Sequence, residues 1–210
     1  MNNLTRKSTF HEIKNQLSVC DLYLEIIKKT LHKEGFENDT VERAISTIEN
    51  SMRSMESSMK ELKAEFSPLK IQPINLYALI DEVFAAGESY KCGKNVEFLN
   101  EIQCDCTIQA DRDKMYSVLV NLCKNAVEAI KTNGYVKIYG NGKEFFVENN
   151  GEEIPSDIQN KLFDDGFTTK NYGSGLGLML VKKYLSSQNF DIKLCCSNRQ
   201  NTTFGIRYKN

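Results

Sequence analysis

Histidine, amide and glycine residues stand at spacings that suit phosphoryl chemistry. His11 is followed by Glu12 and, one helical turn on, by Asn15. On a helix, Asn15 shares the face of His11, and Glu12 stands beside the ring. A neutral imidazole is a competent nucleophile near neutral pH, and an adjacent carboxylate can hold its tautomer or take its proton. Asn121 and Asn125 repeat the one-turn spacing, with Lys124 between them. An amide oxygen is a hard ligand suited to Mg2+, which keeps waters and phosphate oxygens in its shell. Asn121 and Lys124 suit direct contact with phosphate. The run Gly173-Ser174-Gly175-Leu176-Gly177 opens an apolar helical pattern. Glycines let backbone N–H groups approach a phosphate, and a helix N-terminus adds partial positive charge. Ahead of it, the polar loop Phe163 to Lys170 ends in a cation able to close over a nucleotide. Asn149 and Gly151 stand where a strand pattern turns, a place where an amide can meet a base edge. Taken singly, these features have plainer readings: a surface histidine, or the polar face of an amphipathic helix.

Two kinds of element must position these residues. Phe10, Ile13, Leu17, Cys20, Leu24, Ile27 and Leu31 form one apolar stripe, and Val41, Ile45, Ile48, Met52, Met55, Met59, Leu62 and Phe66 a second. Spacings alternating between three and four residues mark a bundle seam. Residues 33–39 read as the turn, with Asp39 or Thr40 capping the second helix. The spacing thus predicts a helical hairpin over 3–66. A hairpin alone cannot shield two seams from water, so pairing of two copies into a dimeric four-helix bundle is expected. Beyond Ser67-Pro68 the punctuation changes, and eleven of the twelve glycines follow from Gly87 onward. Short strands alternate with three helices there, including a hairpin around Gly140-Asn141-Gly142. An α/β sandwich is expected. The boundaries read as a hairpin domain at 1–67, a linker at 68–75 and an α/β domain at 76–210.

The 210 residues carry 27 Lys+Arg against 28 Asp+Glu, a net charge of -1. That balance leaves no basic footprint for nucleic acid. No run approaches the roughly 18 apolar residues of a membrane helix, so no membrane insertion is expected. The 7 cysteines are scattered and odd in number, which argues for reduced thiols and a cytoplasmic location rather than a disulfide framework.

In this order, the motifs resemble those of bacterial sensor histidine kinases, across nearly the whole chain. Phe10 to Leu17 is similar to the phospho-acceptor box, Asn121 to Ala129 to the N box, and Val147 to Pro155 to the first glycine box. Phe163 to Lys170 is similar to the F box and lid, and Gly173 to Leu178 to the second glycine box. The resemblance implies a dimeric bundle bearing the histidine, then an ATP-binding domain of the gyrase, Hsp90, histidine kinase and MutL kind. It implies that His11 attacks the γ-phosphate of ATP, with Glu12 as base or orienting group. Asn125 would hold Mg2+, and Asn121 and Lys124 would meet the phosphates. The phosphoryl group would pass to an aspartate of a response-regulator receiver domain, and Asn15 would place water for the reverse, phosphatase reaction.

There are departures from the family pattern. Asn149 stands where the family has Asp. Its carbonyl oxygen still accepts from the adenine amino group but loses charge-assisted strength, roughly twofold per bond, so weaker ATP affinity is expected. Glu153 replaces a glycine, which predicts a stiffer or differently bent loop. Gln16 replaces a common Pro, so the helix keeps its backbone hydrogen bond and kinks less. A rival reading is a phosphotransfer relay with a vestigial ATP domain; another is a regulatory protein that uses ATP as a conformational switch. Ten residues precede His11, so the expected input is a separate sensor protein or sequence outside this chain.

Overall fold

The computed structural model describes residues 3–36, 38–65, 68–169 and 175–209, with the side chains of the first helix described from Glu12 onward. The chain divides into two compact units that meet in sequence between residues 67 and 68.

The first unit is a helical hairpin of α1 (Asn3–Lys33) and α2 (Asp39–Glu65). α1 runs without interruption past Gln16, as the intact backbone hydrogen bond requires. Its C-terminus is closed by a left-handed residue, Gly35 at φ 63°. Gly35 N–H donates to the His32 carbonyl at 3.2 Å, and Phe36 N–H to that of Leu31 at 3.0 Å. This pair of bonds satisfies the last carbonyls of the helix. The cap of α2 is Asn38, not Asp39 or Thr40: its Oδ1 accepts from Thr40 N–H at 2.9 Å and Val41 N–H at 3.2 Å. A side-chain oxygen must precede the helix to reach its free N–H groups, and Asn38 is the residue so placed.

The two stripes divide between two surroundings. Leu17 and Leu24 pack with Ile45 and Met52 as the buried core of the hairpin, flanked by Leu31 and Val41. The alternate positions Ile13, Ile27, Ile48 and Met55 are exposed, as is Cys20. Two helices bury a strip one residue wide every second turn and leave the other half of each stripe uncovered. Phe10, Met59, Leu62 and Phe66 lie outside the described side chains. Val19, Leu22, Tyr23 and Ile26 form a further exposed apolar set on α1, away from both stripes.

The second unit holds β1 (Ile71–Asn75), α3 (Leu76–Gly87), β2 (Asn95–Glu101), β3 (Thr107–Asp111), α4 (Arg112–Ala129), β4 (Asn133–Gly140), β5 (Glu144–Asn149), α5 (Gly177–Ser187), β6 (Phe190–Ser197) and β7 (Thr202–Tyr208). Residues 71–75 form the strand that their sequence predicts, and β1 pairs antiparallel with β3 in this unit. The main sheet has the order β2-β4-β5-β7-β6. β2 and β4 are parallel and the other neighbours antiparallel. Val136, Ile138, Phe145, Val147 and Ile206 are buried on the sheet face that packs against α4 and its neighbours, together with Leu119, Leu122 and Leu185 from the helices. The mixed helix-and-sheet architecture is the expected one. Among the described residues, no helix is long and apolar enough to cross a membrane.

The opposite face of the sheet carries a polar knot. Glu148 accepts from the Tyr135 hydroxyl at 2.9 Å, the Tyr139 hydroxyl at 3.3 Å and the Thr203 hydroxyl at 3.4 Å. Lys137 lies 3.5 Å from it. Burial first, then the bond to Glu148 and its negative charge, pushes the Tyr135 phenol from an ordinary 10.0 up to about 12, and Tyr139 is raised by the same causes. A phenol that holds its proton more tightly when folded stabilises the fold in full below the unfolded pKa, and that contribution is lost as pH rises through the folded one. This contribution to stability is therefore expected to fade between about pH 10 and 12. In a tyrosinate absorbance titration, Tyr135→Phe should delete a late-ionising phenol and leave the earlier ones in place.

Candidate functional site

Helix α4 is the spine of the candidate site. It starts under the Asp111 side chain, whose Oδ1 accepts from Lys114 N–H at 3.1 Å and whose Oδ2 accepts from Lys70 N–H at 2.8 Å. Met115, Val118, Leu119, Leu122, Cys123 and Ala126 bury its apolar side. That orientation leaves Asn121, Asn125 and Ala129 aligned at successive turns along another side. Asn121 and Asn125 are half-buried there, and Lys124 is exposed.

Each end of this row meets a different loop. The Asn121 Nδ2 donates back to the Ser117 carbonyl at 2.9 Å. Its Oδ1 faces the first residue of α5: a Cβ at Gly177 would lie 3.1 Å from it. At the other end, a Cβ at Gly151 would come within 2.6 Å of the Ala129 carbonyl carbon. Only glycine lets the turn after β5 lie this close to α4. Glu152 N–H, next to it, donates to the Ala129 carbonyl at 2.9 Å, and the Glu152 carboxylate pairs with Lys131 at 2.7 Å. Glu153, the departure from the glycine pattern, is exposed.

Asn149 ends β5 on the sheet face shared with the helices. It is 4% exposed, and its Nδ2 has no hydrogen-bond partner among the described residues. Its neighbours across the ladder are Val136 and Thr202. The Thr202 hydroxyl is engaged at 2.7 Å by the Ser197 hydroxyl, which accepts from Ile154 N–H at 2.8 Å. Ser197 and Thr202 were not legible as site residues, because strand pairing, not local sequence, brings Thr202 beside Asn149 and Ser197 beside Thr202.

The loop before α5 is closed at its base. Gly175 has φ 69°, and a Cβ there would come within 2.4 Å of the Gly166 backbone. Phe163 packs edge-on to Phe204 at 6.2 Å, with the Lys182 ammonium 5.8 Å from its ring centre. α3 and α4 are capped by the side chains of Asn75 and Asp111, whereas α5 has no side-chain cap at Leu176. The N–H groups at a helix N-terminus are suited to an anion. Lys170, Gly173 and Ser174 lie outside the described residues.

The second unit thus sets Gly177, the first residue of α5, against Asn121 in the middle of α4, and Gly151, two residues after Asn149, against Ala129 at the end of α4. His11, Glu12 and Asn15 stand on α1 in the first unit, where Glu12 and Asn15 are exposed. An orphaned amide fits the edge of a base, and glycine-only approaches fit phosphates held by backbone. Among the described residues, no group of three or more His, Cys, Asp or Glu is placed to hold a metal ion. A cation beside Asn125 would therefore draw further ligands from phosphate and water, as Mg2+ does.

Residues 110–210 match the family model "Histidine kinase-, DNA gyrase B-, and HSP90-like ATPase". The chain is 28% identical over 211 residues to the signal transduction histidine-protein kinase AtoS of Escherichia coli strain K12, covering 93% of this chain and 33% of AtoS. It is 31% identical over 160 residues to the sensory histidine kinase/phosphatase NtrB of Rhizobium leguminosarum bv. phaseoli, covering 66% of this chain and 41% of NtrB. The chain therefore spans well under half the length of these curated relatives. Among solved structures, the catalytic domain of the histidine kinase ThkA superposes with a TM-score of 0.58 at 32% identity, over 67% of this chain and 95% of that one. ThkA in complex with the response regulator TrrA gives 0.62 at 25% identity, over 96% and 61%.

Proposed function

The chain belongs to the family of histidine kinase-, DNA gyrase B- and HSP90-like ATPases and, within it, to the histidine kinases, and we propose that it is an ATP-dependent, autophosphorylating protein histidine kinase. The observation that carries this reading is the convergence on α4: the row of Asn121, Asn125 and Ala129 meets Gly177 at the start of α5 at one end and the Gly151 turn at the other. In this reading residues 76–210 form the ATP-binding domain and residues 1–67 the dimerisation and phosphotransfer domain.

The ATP phosphates would lie between α4 and the N-terminus of α5. Backbone N–H groups of Gly173, Ser174, Gly175, Leu176 and Gly177 would face them, with Asn121, Lys124 and Lys170 as side-chain partners. Asn125 would hold Mg2+, which neutralises charge on the transferring phosphoryl group. Asn149 and Gly151 would take the adenine. A ring nitrogen of His11 forms the new N–P bond while the bond from the γ-phosphorus to the ADP oxygen breaks. Glu12 holds the imidazole or takes its proton. The phosphoryl group then moves to a carboxylate of a receiver domain. ThkA has been solved in complex with a response regulator protein. Val19, Leu22 and Ile26, exposed on α1 at helical spacings from Asn15, offer an apolar surface beside the acceptor for it.

Two hairpins would assemble as a four-helix bundle. Ile13, Ile27, Ile48 and Met55 are the halves of the stripes that one hairpin leaves in water, and a second copy is the occupant their seam spacing suits. A separate sensor protein, or sequence outside this chain, would supply the signal.

Incubation with γ-labelled ATP and Mg2+ tests the reading. The label should be acid-labile and should chase onto a receiver domain. Stable nucleotide binding without label would favour a regulatory switch, and neither binding nor label would favour a relay. NtrB is both kinase and phosphatase by name; for this chain, Asn15 is the proposed water-placing residue. Asn15→Ala is expected to slow loss of phosphate from the labelled receiver by about a hundredfold, the usual cost of a misplaced reacting group. A normal rate would remove Asn15 from that role.

A further inference from the structure

Asn149 carries a donor for which the described residues supply no acceptor. Its side chain is 4% exposed and its Nδ2 is unpartnered. Buried donors are almost always satisfied, so an unsatisfied one is a place where another molecule can complete the bond. No described residue completes it. Val136 is apolar, the Thr202 hydroxyl is engaged with Ser197, and the Ser197 oxygen is engaged with Ile154 N–H. The amide ends β5 next to the Gly151 turn, which lies against α4 at the far end of the row from the start of α5.

We propose that Asn149 reads a purine with both ends of its amide: Nδ2 donates to ring nitrogen N1 of adenine while Oδ1 accepts from the exocyclic amino group. The inference rests on the nucleotide reading above and deepens it. The edge of adenine sets an acceptor, N1, beside a donor, the amino group, and an amide sets a donor beside an acceptor at matching width. A carboxylate at this position is acceptor-only and meets the amino group alone. Replacing Asp by Asn therefore adds a direct contact to N1 as well as removing charge from the other contact. The unpartnered Nδ2 is the half of the amide that a carboxylate lacks.

The test compares ADP with 1-deaza-ADP, in which N1 is replaced by C–H and the amino group is kept. Titration calorimetry on the full chain is the readout, and it needs no turnover. Wild-type protein is expected to bind the deaza analogue about tenfold more weakly than ADP, since its amide donor is then left buried and unpaired. Asn149→Asp has no donor at this position, and its loss between the two ligands should be under about threefold. The wild-type comparison stands without the variant, and a thermal melt confirms that the variant is folded. If ADP binds but wild type and variant show equal losses, or wild type shows none, the Asn149 assignment is overturned while the nucleotide site stands. If ADP does not bind at all, both are overturned.

Discussion

A His11→Gln chain is expected to take up no acid-labile phosphate from γ-labelled ATP, a fall of at least about a thousandfold, because removing a nucleophile removes the step it performs. The chain has only two histidines, His11 and His32, so the assignment divides cleanly. His32 sits in the last turn of α1, where its carbonyl closes the helix end. It lines a cavity of about 440 Å³ with Leu31, Phe36 and Ile45. That is a place at the turn of the hairpin, with no neighbouring amide at one-turn spacing. His32→Gln should therefore label at the wild-type rate. Gln is a good helix former, so neither substitution should melt α1. Acid lability matters because an N–P bond hydrolyses in acid whereas a phosphoserine or phosphothreonine survives it. Full labelling of His11→Gln, or loss of label in His32→Gln alone, would move the acceptor to the other end of the helix and detach Glu12 and Asn15 from the reaction.

What the sequence made legible follows the range of the interactions involved. The β4–β5 hairpin is local: Asn141 Oδ1 accepts from Lys143 and Glu144 N–H, so the turn chemistry is written in adjacent residues. The Asn121–Asn125 row is equally local, a consequence of helical pitch. The bundle stripes were visible, but not which half of each lies inside the hairpin. Spacings of three and four mark both halves alike, and only the pairing of α1 with α2 selects Leu17, Leu24, Ile45 and Met52. The set Val19, Leu22 and Ile26 was hidden by the stronger stripe on the same helix. Asn38 was passed over as a cap because Asp39 and Thr40, both good caps, follow it. The surroundings of Asn149 depend on β7 and on Ser197 in β6, residues joined to it only by sheet pairing. The contact of Gly166 with Gly175 spans a loop and has no periodic signal at all.

That last contact carries the second large prediction. Gly175→Ala places a Cβ within 2.4 Å of the Gly166 backbone, at a φ of 69°. The left-handed conformation alone costs a residue with a side chain about 1–2 kcal/mol. The clash adds to it, since what the Cβ meets is backbone rather than the end of a flexible side chain. The base of the loop must open, and with it the start of α5, whose Gly177 is the residue against Asn121. Nucleotide affinity is expected to fall by about a hundredfold or more, as expected when backbone donors lose their positions. The thermal midpoint should drop only by about 3–10 °C, the shift that 1–3 kcal/mol gives a chain of this size, because the core under α4 is untouched. Gly166→Ala is the informative comparison. Gly166 also has a left-handed φ, 74°, yet nothing lies within 4 Å of a Cβ built there. It should show the conformational cost without the clash, a small drop in midpoint and an affinity within about threefold of wild type. Calorimetric titration with ADP separates the two variants. Equal affinities in both would mean that strain at glycine, rather than closure of the loop base, sets the geometry of the phosphate end, and the role given to Gly175 would fall.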